Sequence, residues 1–155
     1  MPAASVIESI AVTGFLTVAA IEDIRKKSIT RRLIAVAMIG GIIYRLLNFD
    51  TSTVGSILSG SAIGVFMILL SYVSRGAVGV GDGAVLIVTG IVLGFERNLG
   101  IFLLALVLSA LVGLFLLIIV KVDRKKEIPF VPFLLAASVV LSAVFAAESF
   151  GWDFI

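Results

Sequence analysis

Two aspartates, Asp23 and Asp82, are the side chains of this sequence best suited to chemistry. Asp82 lies in the glycine-rich run 79–83, which reads GVGDG between two apolar stretches, and Asp23 ends another apolar run. An acidic side chain inside a bilayer or at its edge is costly and usually functional. Two carboxylates brought together could share one proton and activate water, as in aspartic proteases.

The chemistry of such a pair follows from the repulsion between like charges. At contact distance the pKa of one carboxyl rises and that of the other falls, so the two titrate as a unit. The ionised carboxylate would take a proton from water, and the protonated carboxyl would donate to the scissile carbonyl oxygen. Water would then attack the carbonyl carbon, giving a tetrahedral intermediate with no covalent enzyme adduct.

Each aspartate also has a purely structural interpretation. Asp82 could be the N-cap of the helix that follows it, accepting hydrogen bonds from the free amides. Asp23 could be an interfacial acid paired with nearby basic residues, or the adjacent Glu22 could be the reactive acid instead. Adjacent helical residues point about 100° apart, so at most one of these two neighbours should face the bundle interior.

The glycines around Asp82 favour the chemical interpretation over the capping one. Gly79, Gly81 and Gly83 remove side-chain bulk, let another backbone approach closely and permit positive φ. A helix cap needs none of these properties, whereas a peptide substrate lying against the acid would need them.

Composition indicates an integral membrane protein. The chain has 155 residues, of which 61% are hydrophobic, against roughly 45–50% in a soluble domain. We therefore expect a single membrane-embedded domain over residues 1–155. Cysteine and histidine are absent, which excludes disulfides, zinc sites built on these residues, and Ser-His or Cys-His nucleophile pairs.

Six apolar segments predict an all-α, polytopic fold with about six transmembrane helices. Most approach the roughly 20 residues that span a bilayer. The fourth has 12 residues and would form a helix of roughly 18 Å, so we expect the glycine-rich stretch before it to dip into the membrane as irregular backbone. The segments are Ala3–Ile21, Leu33–Phe49, Val54–Val73, Ala84–Phe95, Leu99–Val120 and Pro129–Phe150.

The basic residues predict the orientation of these helices. Ten of the twelve fall in loops on one side, and the positive-inside rule puts that side in the cytoplasm. Asp23 and Asp82 then lie at cytoplasmic helix ends, both termini lie outside, and Arg45 and Arg97 lie on the outer side. The bases are orientation signals and not a nucleic-acid surface. The ten are Arg25, Lys26, Lys27, Arg31, Arg32, Arg75, Lys121, Arg124, Lys125 and Lys126.

Small residues and prolines mark other local features. Ser56, Gly60 and Gly64 recur at four-residue spacing, which lets membrane helices approach closely and predicts internal packing. Pro129 suits the first turn of the sixth helix, whereas Pro132 lies near the edge of that tolerance. The segment that holds the two prolines is either a plain helix start or a wall of the active-site cavity.

Three segments together resemble a known family. Residues 79–82 resemble the GxGD signature of intramembrane aspartyl proteases, the class of presenilin, signal peptide peptidase and the type IV prepilin peptidases. The prepilin branch fits best. Its first motif, approximately D-x-R-x-x-x-I-P-N-x-L, is similar to residues 23–33, with Thr30-Arg31 in place of Pro-Asn. Its third motif, I-P-F-G-P-F-L, is similar to residues 128–134, with Val131 in place of Gly.

The resemblance implies an activity and a site. It implies removal of a short basic leader from pilin or pseudopilin precursors on the cytoplasmic side, without metal or cofactor. The substrate's apolar helix could dock in the bilayer beside the enzyme, and Arg25 or Arg31 could bind an acidic substrate group. The implied catalytic dyad is Asp23 and Asp82, and the implied motif or substrate-binding residues are Gly79, Gly81, Gly83, Arg25, Pro129 and Pro132.

The resemblance is to the short, peptidase-only form of the family. Larger bifunctional members carry a cytoplasmic domain, often with zinc-binding cysteines, and N-methylate the new terminus. Here the first cytoplasmic loop is only about Glu22 to Arg32, so we do not expect methyl transfer. Ala84 stands where the family often has Lys two residues after the GxGD aspartate.

Two other functions remain open from the sequence. A small transporter or assembly subunit could use Asp82 as an ion or proton site in a broken helix. Another two-aspartate membrane peptidase, such as a lipoprotein signal peptidase, would act near the outer face, which conflicts with the orientation given by the basic loops.

Overall fold

The protein folds as a bundle of helices. The computed structural model describes residues 3–50, 52–74, 79–120 and 129–149, and these contain six α-helices and no strand. The predicted all-α class is therefore confirmed. The helices are α1 (Ala3–Lys26), α2 (Arg31–Leu47), α3 (Thr53–Val73), α4 (Val80–Leu93), α5 (Phe95–Phe115, continued by a π-helical turn, Leu116–Val120) and α6 (Val131–Ser149).

Two of the helices in the described part of the chain are long and apolar enough to cross a membrane. They are α3 over Thr53–Val73 and α5 with its π-helical extension over Phe95–Ile118, whereas α4 and α6 give shorter apolar helices. Large apolar side chains are exposed along the outward faces of α1, α2, α3, α5 and α6. Apolar surface of this extent is typical of a protein that meets lipid or another protein.

The short helix α4 lies at the centre of the bundle, where most of its residues are buried. It packs against α3 most extensively and also contacts α1, α2 and α5. A helix surrounded by protein does not have to match the thickness of a bilayer, so its 14 residues, about 21 Å at 1.5 Å per residue, leave no gap towards lipid.

The start of α4 differs from the prediction. Gly79 is the N-cap, with extended backbone (φ −69°, ψ 126°), and residues 80–83 already form the first helical turn. The expectation of irregular backbone is therefore wrong for residues 80–83, whereas a dip of this stretch into the membrane stays a prediction. Positive φ among the described glycines occurs at Gly94, so the GVGDG glycines serve close approach and not unusual backbone conformation.

Glycines bring α3 and α4 into close contact. Gly60 packs on Gly90 and Gly64 packs on Gly83, and a Cβ added at any of the four would clash with the facing helix. At Gly83 that atom would lie 2.6 Å from Ile68 Cγ1. The internal packing predicted from the small-residue spacing is confirmed, because only glycine lets these backbones approach so closely.

A buried side-chain amide in α5 forms hydrogen bonds to both α3 and α4. Asn98 is fully buried, and its Nδ2 donates to the carbonyl oxygens of Gly60 and Leu86, each at 3.0 Å. Its Oδ1 accepts from the Thr89 hydroxyl at 2.7 Å. Buried polar groups that are fully hydrogen-bonded make a structure rigid, so α3, α4 and α5 form one interlocked unit.

Charged side chains close one end of the bundle, which we call the Glu8 end. The Glu8 carboxylate lies 3.1 Å from Nη1 of Arg97 and 3.8 Å from Nη1 of Arg45. Arg45 also donates to the carbonyl oxygens of Ile91 and Val92, where a cation complements the negative C-terminal end of α4. This cluster joins the N-termini of α1 and α5 to the C-termini of α2 and α4.

Candidate active site

Asp23 lies in the last turn of α1 and points into the bundle. Its side chain is buried, with 7% of the residue exposed. Its Oδ2 accepts a hydrogen bond from the Val131 amide at 3.1 Å, and the Phe130 amide also donates to this carboxylate. These amides belong to the N-terminus of α6, where they have no helical partner. Within the described residues the partners of Asp23 are thus backbone amides, so its predicted pairing with nearby basic residues is wrong.

The two prolines of the third motif lie beside this contact. Helix α6 begins at Val131, so Pro132 occupies its first turn and Pro129 precedes the helix. The assignment of Pro129 to the first turn is thus wrong. Pro132 costs nothing there, because the amide that it lacks would have no helical acceptor. The two amides after Pro132 bond to the Phe130 carbonyl. Ile128, the first residue of that motif, lies outside the described residues.

Asp82 is the third residue of α4 and is partly buried. Its carboxylate turns back to the start of the helix and accepts a hydrogen bond from the Gly79 amide, as an acid in the third position of a capping box does. A Cβ at Gly79 would lie only 2.7 Å from Oδ2 of Asp82. The N-cap is Gly79, so the interpretation of Asp82 as N-cap is wrong.

The two carboxylates lie within electrostatic reach of each other. Both aspartates lie outside the apolar segments 3–21 and 84–95. Burial, and after it the negative charge of Asp23, together raise the pKa of Asp82 from its ordinary 3.8 to about 7, against the opposing effect of the Gly79 amide. Burial also raises the pKa of Asp23, which the Val131 and Phe130 amides oppose. We call this region, at the C-terminus of α1 and the N-termini of α2, α4 and α6, the Asp23 end.

Glu22 faces away from this pair, as expected for the neighbour of an inward-pointing acid. Its carboxylate accepts two hydrogen bonds from Thr30, one from the backbone amide and one from the hydroxyl, each at 2.9 Å. The Thr30 amide is the main cause that lowers the pKa of Glu22. Asp23, and not Glu22, is therefore the inward-facing acid.

The remaining predicted residues divide between the site and the scaffold. Gly81 packs against the Ile29 side chain, and a Cβ added to Gly81 would lie 3.4 Å from Cδ1 of Ile29. Gly83, in contrast, packs against α3. Arg25 is exposed in the last turn of α1, so a role in binding an acidic substrate group stays a prediction.

The cavity described between the helices lies away from the two aspartates. A cavity of about 230 Å³ between α1, α2 and α4 is lined by apolar residues together with Glu8 and Tyr44, so it belongs to the other end. Within the described ranges, no three acidic side chains come together as a metal site. The two acids that interact with each other at the Asp23 end are Asp23 and Asp82.

The sequence-based reasoning gave no role to three polar residues that join segments of the bundle. Glu8 contacts α5, Asn98 contacts α3 and α4, and Thr30 contacts the end of α1. The available signals were a carboxylate in the first apolar segment, an amide at the start of the fifth, and a hydroxyl where the family pattern has proline. None of these signals identifies its partner.

Comparison with known proteins agrees with the motifs. The model of the type IV leader peptidase family matches residues 10–118. Curated proteins and solved structures gave no match. The matched range contains both aspartates and ends before the proline segment. It also covers more than half of the 155 residues, and the chain therefore belongs to the type IV leader peptidase family.

Proposed function

We propose that this protein is an intramembrane aspartyl endopeptidase that removes the leader peptide from prepilin-like precursors. Family membership supports the peptidase class and the kind of substrate. The observation that carries the aspartyl mechanism is the electrostatic interaction between Asp23 and Asp82, which lie 59 residues apart in sequence. Burial and the charge of Asp23 raise the pKa of Asp82 to about 7.

The surroundings of the two acids support different roles for them. Asp23 accepts hydrogen bonds from the α6 amides, which favour its charged form. Asp82 has less such support and a pKa near neutrality, so it is the carboxyl that holds the shared proton. In this proposal Asp23 takes a proton from water, and Asp82 donates its proton to the scissile carbonyl oxygen.

The remaining steps follow from conservation of protons. Water oxygen bonds to the carbonyl carbon, giving a neutral gem-diol as Asp23 becomes protonated and Asp82 ionised. The intermediate collapses as a diol hydroxyl returns its proton to Asp82, the C–N bond breaks, and the leaving nitrogen takes the proton from Asp23. The pair ends in its starting state, with no cofactor consumed.

A position at the cytoplasmic membrane face completes the proposal. Five of the ten bases assigned to the cytoplasm flank the α1–α2 connection at the Asp23 end, and the other five lie outside the described residues. Positive charge on this side favours a cytoplasmic location for the acids. The exposed apolar faces of the bundle suit a multi-pass protein whose substrate approaches through the bilayer.

The proposal is tested with purified protein in liposomes and a prepilin-like substrate. Wild-type protein is expected to shorten the substrate by its leader, as seen by gel mobility and by mass. Asp23→Asn and Asp82→Asn should each lower the rate by at least about a hundredfold, because each removes one partner of the acid–base pair. Glu96→Gln, a charge loss at an exposed site at the Glu8 end, is the matched control.

Full turnover by either asparagine variant would refute the dyad. Proton or ion flux through the wild type without peptide cleavage would instead favour the transporter interpretation.

A further inference from the structure

The loop between α1 and α2 is held by a side chain that the proposed chemistry does not use. Helix α1 ends at Lys26, and Lys27 adopts left-handed backbone (φ 49°). Glu22 lies one turn earlier, and its carboxylate reaches across the loop. It accepts hydrogen bonds from the amide and from the hydroxyl of Thr30, each at 2.9 Å. The carboxylate therefore fixes the point at which α2 starts.

This loop lies against the catalytic turn of α4. Ile29, the residue before Thr30, packs on Gly81, with its Cδ1 3.4 Å from the place of a Cβ there. Gly81 immediately precedes Asp82. A shift of residues 27–30 would thus remove the Ile29 side chain from the backbone that carries Asp82.

The backbone of Thr30 shows what the carboxylate accomplishes. Thr30 has φ −65° and ψ 124°, and −65° is the φ that a proline ring fixes covalently. Threonine has no such restriction, and it retains an amide that must be satisfied. The two hydrogen bonds from Thr30 to Glu22 hold this φ without a ring, and one of them satisfies the Thr30 amide.

We propose that Glu22 is a positioning residue of the active site, which acts through Thr30 to hold Ile29 against Gly81 beside Asp82. Its importance for catalysis rests on the proposed function, but its effect on the loop does not. Glu22 does not touch the substrate in this proposal.

Two measurements separate the loop from the reaction. The first is cleavage of the prepilin-like substrate by the full chain. The second is cross-linking between cysteines placed at Ile29 and Gly81, in a chain that otherwise has no cysteine. Cross-linking with copper phenanthroline reports the proximity of loop and turn, because disulfides require closely spaced Cβ atoms, and it needs no substrate.

Glu22→Ala is expected to lower both the cleavage rate and the cross-linking rate. A displacement of about 1 Å near reacting groups costs on the order of a hundredfold, so we expect a decrease in cleavage of about tenfold or more. Adding Thr30→Pro to Glu22→Ala should restore both rates, since proline sets the same φ without an amide to satisfy. Glu96→Ala serves as the control for loss of an exposed acid.

Distinct results overturn distinct claims. Unchanged cross-linking in Glu22→Ala would overturn the positioning role, whatever happens to cleavage. Loss of both rates without rescue by Thr30→Pro would also overturn it. Wild-type protein that cross-links as described but cleaves no prepilin-like substrate would instead refute the proposed function and leave the loop assignment standing.

Discussion

The two ends of the bundle treat their acids in opposite ways. At the Glu8 end one carboxylate lies between two arginines, and Arg45 also binds the carbonyls that end α4. At the Asp23 end two carboxylates lie near each other, and their neighbours are backbone amides. Within the described residues the structure gives neither Asp23 nor Asp82 an ion pair.

The difference distinguishes an acid that stabilises the fold from acids that are suited to chemistry. A carboxylate flanked by guanidinium groups fixes helix ends through charge-assisted hydrogen bonds. A buried carboxyl beside a second acid is costly in the charged state, which keeps a proton available near neutral pH. In the proposed function, Glu8 therefore has a structural role, whereas Asp23 and Asp82 transfer protons.

The strongest test of this difference is a variant that displaces the Asp82 carboxylate without removing it. Gly79→Ala puts a methyl group against Oδ2, at 2.7 Å before any relaxation, so the carboxylate must move. We expect cleavage to fall by about a hundredfold, with the thermal midpoint little changed. Gly14→Ala, which has open space around its Cβ, is the matched control. Wild-type cleavage by the Gly79 variant would show that the position of the carboxylate is not critical.

The next test removes the fastening at the other end. Glu8→Ala leaves Arg45 and Arg97 without their shared carboxylate, and we expect a loss of about 2 kcal/mol in the free energy of unfolding. Removing one partner of a fully buried pair costs about 3–5 kcal/mol, and this pair is partly exposed. Cleavage by the folded variant should remain at the wild-type rate. A variant of unchanged stability that no longer cleaves would reverse the assignment of the two ends.

The smallest expected effect is a pH dependence confined to the Asp23 end. The pKa of Asp82 is about 7 in the folded protein, above its ordinary 3.8, so the folded state holds a proton that the unfolded state releases. Stability from this group is complete below the unfolded pKa and is lost as pH rises through about 7. In the wild type the thermal midpoint should decrease as the pH rises from about 5 to about 8. The decrease should be smaller in Asp82→Asn. Equal slopes in the two proteins would contradict the raised pKa.

Hydropathy was sufficient to predict the helices, and the motifs singled out two acids that interact electrostatically in the structure. Each of the six apolar segments corresponds to one α-helix of the described residues, because each helix has apolar surface to bury or to place against lipid. The boundaries moved where polar contacts intervene. Helix α1 continues past Ile21 to Lys26, and α4 begins four residues before Ala84, because a helical turn satisfies the glycine-rich backbone internally.

The contacts that orient the site could not be predicted in the same way. Asp23 bonds to Val131, which lies 108 residues further along the chain, and no local pattern specifies such a partner. The same holds for Glu8 with Arg97, 89 residues away. Side-chain hydrogen bonds between distant helices depend on how the bundle is assembled, whereas periodicity reports only which face of each helix is apolar.

The buried amide of Asn98 has a mechanical consequence for catalysis. It locks together the three helices that include the carrier of Asp82, whereas Asp23 and the amides that bind it belong to α1 and α6, which pack on each other. Helix α6 also packs on α5, and α1 on α4, so the rigid unit is the support against which the helices that hold Asp23 are placed. In the proposed mechanism, the spacing of the two carboxylates therefore depends on residues that never meet the substrate.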